Sequence, residues 1–238
     1  MPPSSVILKL SADFNNGSIN FETAQAMKRG YFITFEGPEG AGKSSQIQML
    51  GESLRLAGHE VVITREPGGT PLAEAIREVV KGYHSGEAVH PATELLLIEA
   101  ARSQHVCEVI KPALQAGKIV LCDRFYDSST AYQGGGRGLA RETIEMLNRF
   151  ASDGVVPDLT ILLDLPPERG FERTETRVET LGEYDRFEDE KLDFHRRVRA
   201  EFLALAEREP QRVKVVLADR GKEDIRQDVA RLVNELVR

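Results

Sequence analysis

The sequence is poor in cysteine, in net positive charge and in long apolar runs. Only Cys107 and Cys122 occur among 238 residues, too few for a disulfide framework or a zinc site. Cys122 ends the apolar run Ile119-Val120-Leu121 and reads as a small core residue. Lys and Arg number 31 against 38 Asp and Glu, a formal charge of −7. That balance argues against a general nucleic-acid coat or a polybasic membrane binder, whose affinity needs net positive charge. It leaves room for an anionic ligand held by a few local cations. The apolar runs are far too short to span a bilayer, and the N-terminus lacks the basic start and apolar middle of a signal peptide. The expectation is a cytoplasmic protein. With 41% hydrophobic and 29% charged residues, the composition is that of a soluble globular chain and excludes collagen-like, coiled-coil and low-complexity readings.

What is present divides unevenly. Residues 1–29 carry Pro2, Pro3, several Ser and Asn and only broken apolar runs. They are expected to be an N-terminal extension, disordered or, over residues 1–26, an over-extended gene start or a loose tail, with Met27 as the natural first residue. From residue 30 to 238 strands and helices alternate. Five short Val/Ile/Leu-rich runs, 31–35, 61–64, 119–122, 159–164 and 213–217, suit buried parallel strands. Helical patterns cover Lys43–Ala57, a segment opening Thr70-Pro71 with Thr as N-cap, and roughly 92–110, 140–151, 188–208 and 222–237. There is no internal repeat and no Pro/Gly/Ser-rich linker between the halves. The pattern predicts one three-layer α/β domain on a five-stranded parallel sheet.

Gly37-Pro38-Glu39-Gly40-Ala41-Gly42-Lys43-Ser44 matches G-x-x-x-x-G-K-[ST], after an apolar strand and opening a helix. Glycines let successive N–H groups point inward at phosphate oxygens, and the helix N-terminus adds partial positive charge. Lys43 is expected to reach the outer phosphates and the Ser44 hydroxyl to ligate Mg²⁺. The guanine-reading Asn-Lys-x-Asp segment of a GTPase is missing. So is the Asp-Glu that usually ends a Walker B strand in motor and AAA-type ATPases; Ile119–Cys122 runs instead into Asp123-Arg124. A cation beside that carboxylate suits a second phosphate held near the metal, hence a kinase acting on a phosphorylated acceptor.

Further segments then converge: Thr64-Arg65-Glu66-Pro67-Gly68-Gly69-Thr70, Asp123-Arg124-Phe125, and Ala131-Tyr132-Gln133-Gly134 leading into Gly135-Gly136-Arg137-Gly138. With these, the chain from about Tyr31 to near its C-terminus resembles the thymidylate kinase family, which phosphorylates dTMP to dTDP with Mg-ATP for dTTP synthesis. The resemblance implies a P-loop fold of the nucleoside monophosphate kinase type and a homodimer. It implies ATP over Gly37 to Ser45, with Glu39 facing the acceptor and accepting a hydrogen bond from its 3′-hydroxyl. Arg65 and Arg124 are the candidates for the dTMP phosphate, with Arg77 a third candidate or a surface arginine. Asp123 orients Mg²⁺ through water or only braces Arg124. Arg102 is expected to donate to a thymine carbonyl. Ile98 stands where the family usually has a stacking aromatic, and either contacts the base or belongs to the core. Ser129 and Gln133 are placed to read the thymine edge, and Tyr132 to crowd out a ribose 2′-hydroxyl. The charged stretch 168–186 matches the position of a lid. Gly40 follows Glu39, so the chain resembles members whose lid supplies the catalytic arginines, here Arg173 and Arg177, with Arg186 a weaker candidate. The rival expectations are a kinase of the same fold with another acceptor, and a non-catalytic nucleotide-binding regulator.

Overall fold

A computed structural model describes residues 29–82, 84, 86–173, 186–187 and 189–237. The expectations for the N-terminal extension and for Arg177 lie outside the described residues. Five strands form the sheet: β1 (Phe32–Glu36), β2 (Val61–Arg65), β3 (Ile119–Asp123), β4 (Leu159–Asp164) and β5 (Val213–Leu217), all parallel, in the order β2-β3-β1-β4-β5. Each matches a run expected from the sequence, shifted by at most one residue at either end.

The helices are α1 (Lys43–Leu56), α2 (Pro71–Lys81), α3 (Pro91–His105), α4 (Lys111–Gln115), α5 (Tyr126–Ser129), α6 (Arg141–Ala151), α7 (Leu192–Arg208) and α8 (Lys222–Val237). They cover both faces of the sheet. Alternation along β1 decides which side chain meets which layer. Ile33 and Phe35 pack with Ile47, Leu50 and Leu54 of α1 and with Ile225, Val229 and Val233 of α8. Phe32 packs on the other face with Val106, Ile110 and Phe125. On that same face, Tyr132 and Leu162 meet Phe194, Val198 and Phe202 of α7. Strands β1, β3 and β4 are covered on both sides, which is why they read as nearly continuous apolar runs.

Two departures from the expected helices have local causes. The helix expected over 92–110 switches to π-helical turns at Val106–Ile110 before continuing as α4. Pro112 has no N–H to donate and its ring crowds the carbonyl four residues back, so widening the preceding turn accommodates it. A second π-helical stretch, Thr130–Gly136, carries the Ala-Tyr-Gln-Gly-Gly-Gly run. A Cβ on Gly136 would stand 2.4 Å from the Phe194 ring, and one on Gly135 2.7 Å from Glu201 Cβ. These glycines let α7 approach.

Strand order reverses between β3 and β4 around β1. The crevice outside the carboxyl ends of β1 and β3 is therefore where such a sheet binds ligands. No helix among the described residues is long and apolar enough to cross a membrane.

Candidate active site

The phosphate loop leaves β1 at Gly37, whose φ of +134° disfavours any side chain and whose Cβ would stand 2.3 Å from Leu163 O. Glycine is required there by both conformation and space. The loop ends at Gly42, and α1 opens with Lys43, Ser44 and Ser45. Lys43 is buried, and its Nζ donates to the carbonyls of Gly37 and Pro38 at 3.1 and 2.9 Å. Burial, with Arg124 near by, lowers its pKa despite Glu39 and Asp123. Ser44 Oγ donates to Asp123 Oδ2 at 2.7 Å. A hydroxyl and a carboxylate held together at the mouth of the loop are hard oxygen donors of the kind Mg²⁺ takes alongside phosphate and water. The structure thus joins Asp123 to Ser44.

Arg124 ties the loop to α5 and to the Thr130–Gly136 stretch. It follows β3 with φ +70°, a left-handed conformation uncommon outside glycine. Its Nη1 donates to Gly37 O and Ser128 Oγ, each at 3.1 Å. Its Nη2 donates to Glu39 Oε1 at 2.6 Å and to the Tyr132 hydroxyl at 3.1 Å, and the guanidinium lies 4.9 Å from the Tyr132 ring centre. Burial alone would raise the Glu39 carboxyl, but the Arg124 guanidinium and the Lys43 ammonium hold it well below the usual carboxylate range. Burial pushes the Tyr132 phenol well above its ordinary value, so it stays a neutral hydroxyl. Three expected acceptor residues, Glu39, Arg124 and Tyr132, are therefore one hydrogen-bonded unit.

The residues expected against the acceptor base lie on α3. Ile98 and Arg102 are both buried on this helix. Arg102 is 1% exposed; Nε donates to Glu66 Oε2 at 2.8 Å and Nη1 to Glu99 Oε1 at 2.5 Å and to Asn148 Oδ1 at 3.1 Å. Burial opposes its charge, but Glu99 and Glu66 outweigh burial and raise its pKa. Glu66 also accepts from or pairs with His105 Nδ1 at 3.0 Å. Gln133 Nε2 donates to Glu94 Oε1 at 2.8 Å. Ser129 Oγ is buried and, among the described residues, has no hydrogen-bond partner, as suits a group that faces a polar ligand edge.

Other expected residues stand further from this unit. Arg65 forks onto Glu74 of α2, with Nε and Nη2 at 3.3 and 2.9 Å from its two oxygens. Arg77 Nη1 donates to Pro67 O at 2.8 Å and so supports the turn after β2. Arg173 reaches the outer side of the phosphate loop: Nη1 donates to Gly40 O and to Ala218 O at 3.2 Å. Arg186 does not join it. Its Nη2 donates to Val80 O and to Glu94 Oε2 at 2.9 and 2.7 Å, because Glu94 is a fully buried carboxylate that also collects both Nε and Nη2 of Arg137.

Two organising residues escaped the sequence reading. Glu94 gathers Gln133, Arg137 and Arg186, and Glu36 closes β1 with a fully buried carboxylate. The usable signal for Glu36 was a charge ending the apolar strand Phe-Ile-Thr-Phe-Glu. Burial, with Asp127 near by, raises its pKa to about 7 against the pull of Arg124.

Comparison with known proteins agrees with this geometry. The family model described as thymidylate kinase matches residues 35–229. A thymidylate kinase of Pelobacter propionicus is 52% identical over 82% of this chain and 90% of its own length. One of Deinococcus radiodurans is 48% identical over 88% and 98%. The crystal structure of a thymidylate kinase from Ehrlichia chaffeensis superposes with a TM-score of 0.68 at 34% identity, over 86% of this chain and 99% of that one. A phosphate loop whose Glu39 meets the arginine after β3, on a parallel sheet of order 2-3-1-4-5, thus comes with similarity to this family along nearly the whole described chain: this protein is a member of the thymidylate kinase family.

Proposed function

We propose that the protein transfers the γ-phosphoryl group of ATP to dTMP, giving dTDP and ADP, with the residue roles that follow. The observation that carries the reading is the Arg124–Glu39 pair, which sets an arginine fork and a carboxylate side by side at the lip of the phosphate loop.

The acceptor phosphate is already an oxyanion at neutral pH, so catalysis is positioning and charge neutralisation, with no general base required. The loop N–H groups and Lys43 hold the donor phosphates. Ser44 and Asp123 would hold Mg²⁺, which would supply charge neutralisation on the donor phosphates. Arg124 would release Gly37 O and the Tyr132 hydroxyl to turn one Nη1 and one Nη2 donor onto the dTMP phosphate, keeping Ser128 and Glu39. Glu39, kept ionised by Arg124 and Lys43, is free to accept from the 3′-hydroxyl. Tyr132, packed between Arg124 and the rings of Phe187, Phe194 and Phe202, fills the space a 2′-hydroxyl would need. Ser129 and Gln133 read the thymine edge, Arg102 is committed to Glu66, Glu99 and Asn148 and braces the base site from behind, and Ile98 supplies an aliphatic contact in place of an aromatic one. Arg173, seated on Gly40 O, neutralises the transferring group from the donor side. Arg65 and Arg77 support the acceptor side through the turn after β2.

The protein acts in the cytoplasm as a homodimer. Met146 and Phe150 of α6 and Leu96 of α3 are 63%, 81% and 56% exposed, an apolar face suited to burial against a second copy. Light scattering at micromolar concentration reads the mass. For the reaction, ADP release is measured across dTMP, dUMP, dCMP, dGMP and AMP. Fastest turnover on any acceptor but dTMP would overturn the substrate assignment.

A further inference from the structure

We propose that Glu36 is a positioning residue for phosphoryl transfer, which holds Arg124 in its working conformation from beneath. The proposal rests on the reading of Arg124 as the acceptor-phosphate residue.

Glu36 is the last residue of β1, fully buried, in a strand otherwise made of Phe, Ile and Thr. A carboxylate in such a place is costly unless each oxygen is hydrogen-bonded. Both are: Oε1 accepts from Phe125 N at 2.7 Å and Oε2 from Ser128 Oγ at 2.6 Å. Both donors follow Arg124 closely, Phe125 as its next residue and Ser128 in α5. The same strand end takes a third bond, from Arg124 N to Phe35 O at 2.9 Å. Residues 124, 125 and 128 are thus all gripped by the end of β1.

Arg124 needs that grip. Its φ of +70° is one that glycine would adopt freely, but glycine has no guanidinium. A side chain with a Cβ persists in this region when its surroundings over-determine it. Glu36 supplies the constraint, and Ser128 carries it outward. Having donated to Glu36, Ser128 Oγ accepts from Arg124 Nη1 at 3.1 Å. The guanidinium is then fixed at its root by the backbone and along one edge by Ser128, while Nη2 meets Glu39 and Tyr132. Lys43 shares only the Gly37 carbonyl with Arg124 and is held by Pro38 O as well, and Ser44 is held by Asp123. Loss of Glu36 should therefore disturb the acceptor side and spare the donor side.

The test is a double-mutant cycle on kcat/KM for dTMP, run beside the dissociation constant of ADP. Glu36→Gln keeps an oxygen for Phe125 N and turns the other hydrogen bond around. It should lower kcat/KM for dTMP by roughly tenfold to a hundredfold and change ADP affinity by less than about threefold. In an Arg124→Ala background the same substitution should change kcat/KM by less than about threefold, because no guanidinium is left to misplace. Ser128→Ala should give a smaller loss in the same parameter. Glu36→Gln acting equally in both backgrounds, or lowering ADP affinity in parallel, would make Glu36 a structural residue only and overturn the proposal. If Arg124→Ala alone leaves kcat/KM for dTMP unchanged, the reading of Arg124 fails first, and that single variant reports it. Circular dichroism separates any folding failure of Glu36→Ala from these effects, and the isosteric Gln variant then carries the test.

Discussion

Replacing Arg124 separates the charge of this residue from its shape. Arg124→Lys keeps a cation facing Glu39 but exchanges a planar fork for a single ammonium. The side chain is 13% exposed, so little water is at hand to take over a lost contact. A hydrogen bond to a charged group contributes about 1.5–3 kcal/mol. Losing one of two bonds to the acceptor phosphate therefore lowers kcat/KM for dTMP by about 10- to 150-fold. Arg124→Ala loses both, and the drop becomes about 10²- to 10⁴-fold. Stability responds differently. Glu39 is 29% exposed and still faces Lys43, so removing its partner costs less than the ~3–5 kcal/mol of a fully buried pair, about 1–2 kcal/mol. Because the Glu39 carboxyl is depressed in the folded state, that contribution is complete above its unfolded value of 4.5 and is lost as pH falls below it. Steady-state ADP release with dTMP varied, ADP binding by calorimetry and urea denaturation read the three quantities. Should Arg124→Lys lose less than tenfold in kcat/KM, or lose ADP affinity in step, the acceptor-phosphate role is refuted.

Four further outcomes are expected. Glu36→Gln should become progressively more stable relative to the parent between pH 4.5 and about 7: in that window the folded state holds a proton the unfolded state has released, so stability falls with rising pH, by ~3 kcal/mol in all, and levels off above. Urea midpoints across that range check it. Arg212 donates through both Nη atoms to Asp127, which is 1% exposed; Arg212→Ala leaves that charge buried and should cost about 3–5 kcal/mol by denaturant titration. Tyr132→Phe removes a hydroxyl that accepts from Arg124 but keeps the ring, so turnover with dTMP should fall by about tenfold while rejection of the ribonucleotide, tested with ribothymidine monophosphate, is retained. Arg173→Ala should lower kcat by about 10²-fold with the KM for dTMP unchanged, since its contacts lie on the donor side at Gly40 and Ala218; a rise in that KM instead would move Arg173 to the acceptor.

The comparison of sequence with structure turns on range. The phosphate loop was legible because eight consecutive residues carry it, and its backbone curl is dictated locally by glycine at Gly37 and by the opening of α1. The strands were legible because burial on both faces makes β1, β3 and β4 mostly apolar, with polar residues confined to Thr34, Thr160 and the closing carboxylates. The π-helical turn at Val106–Ile110 was harder to see, since Pro112 acts backwards on the turn before it. The glycines at 135 and 136 belong to a recognisable motif, yet their room is claimed by Phe194 and Glu201, some sixty residues on.

By itself, then, the amino-acid sequence determined the parallel α/β fold, the phosphate cradle and the kinship of the chain, because periodicity and motif spacing are properties of short stretches. Tertiary structure alone decided which charges meet. Glu36 grips residues 89 and 92 positions away, Glu94 collects an arginine 43 positions on, and Arg186 is drawn to that carboxylate instead of the phosphate loop. A buried carboxylate must find donors wherever the folded chain supplies them. Those donors come from the sheet order β2-β3-β1-β4-β5, which sets the end of β1 beside the turn that follows β3.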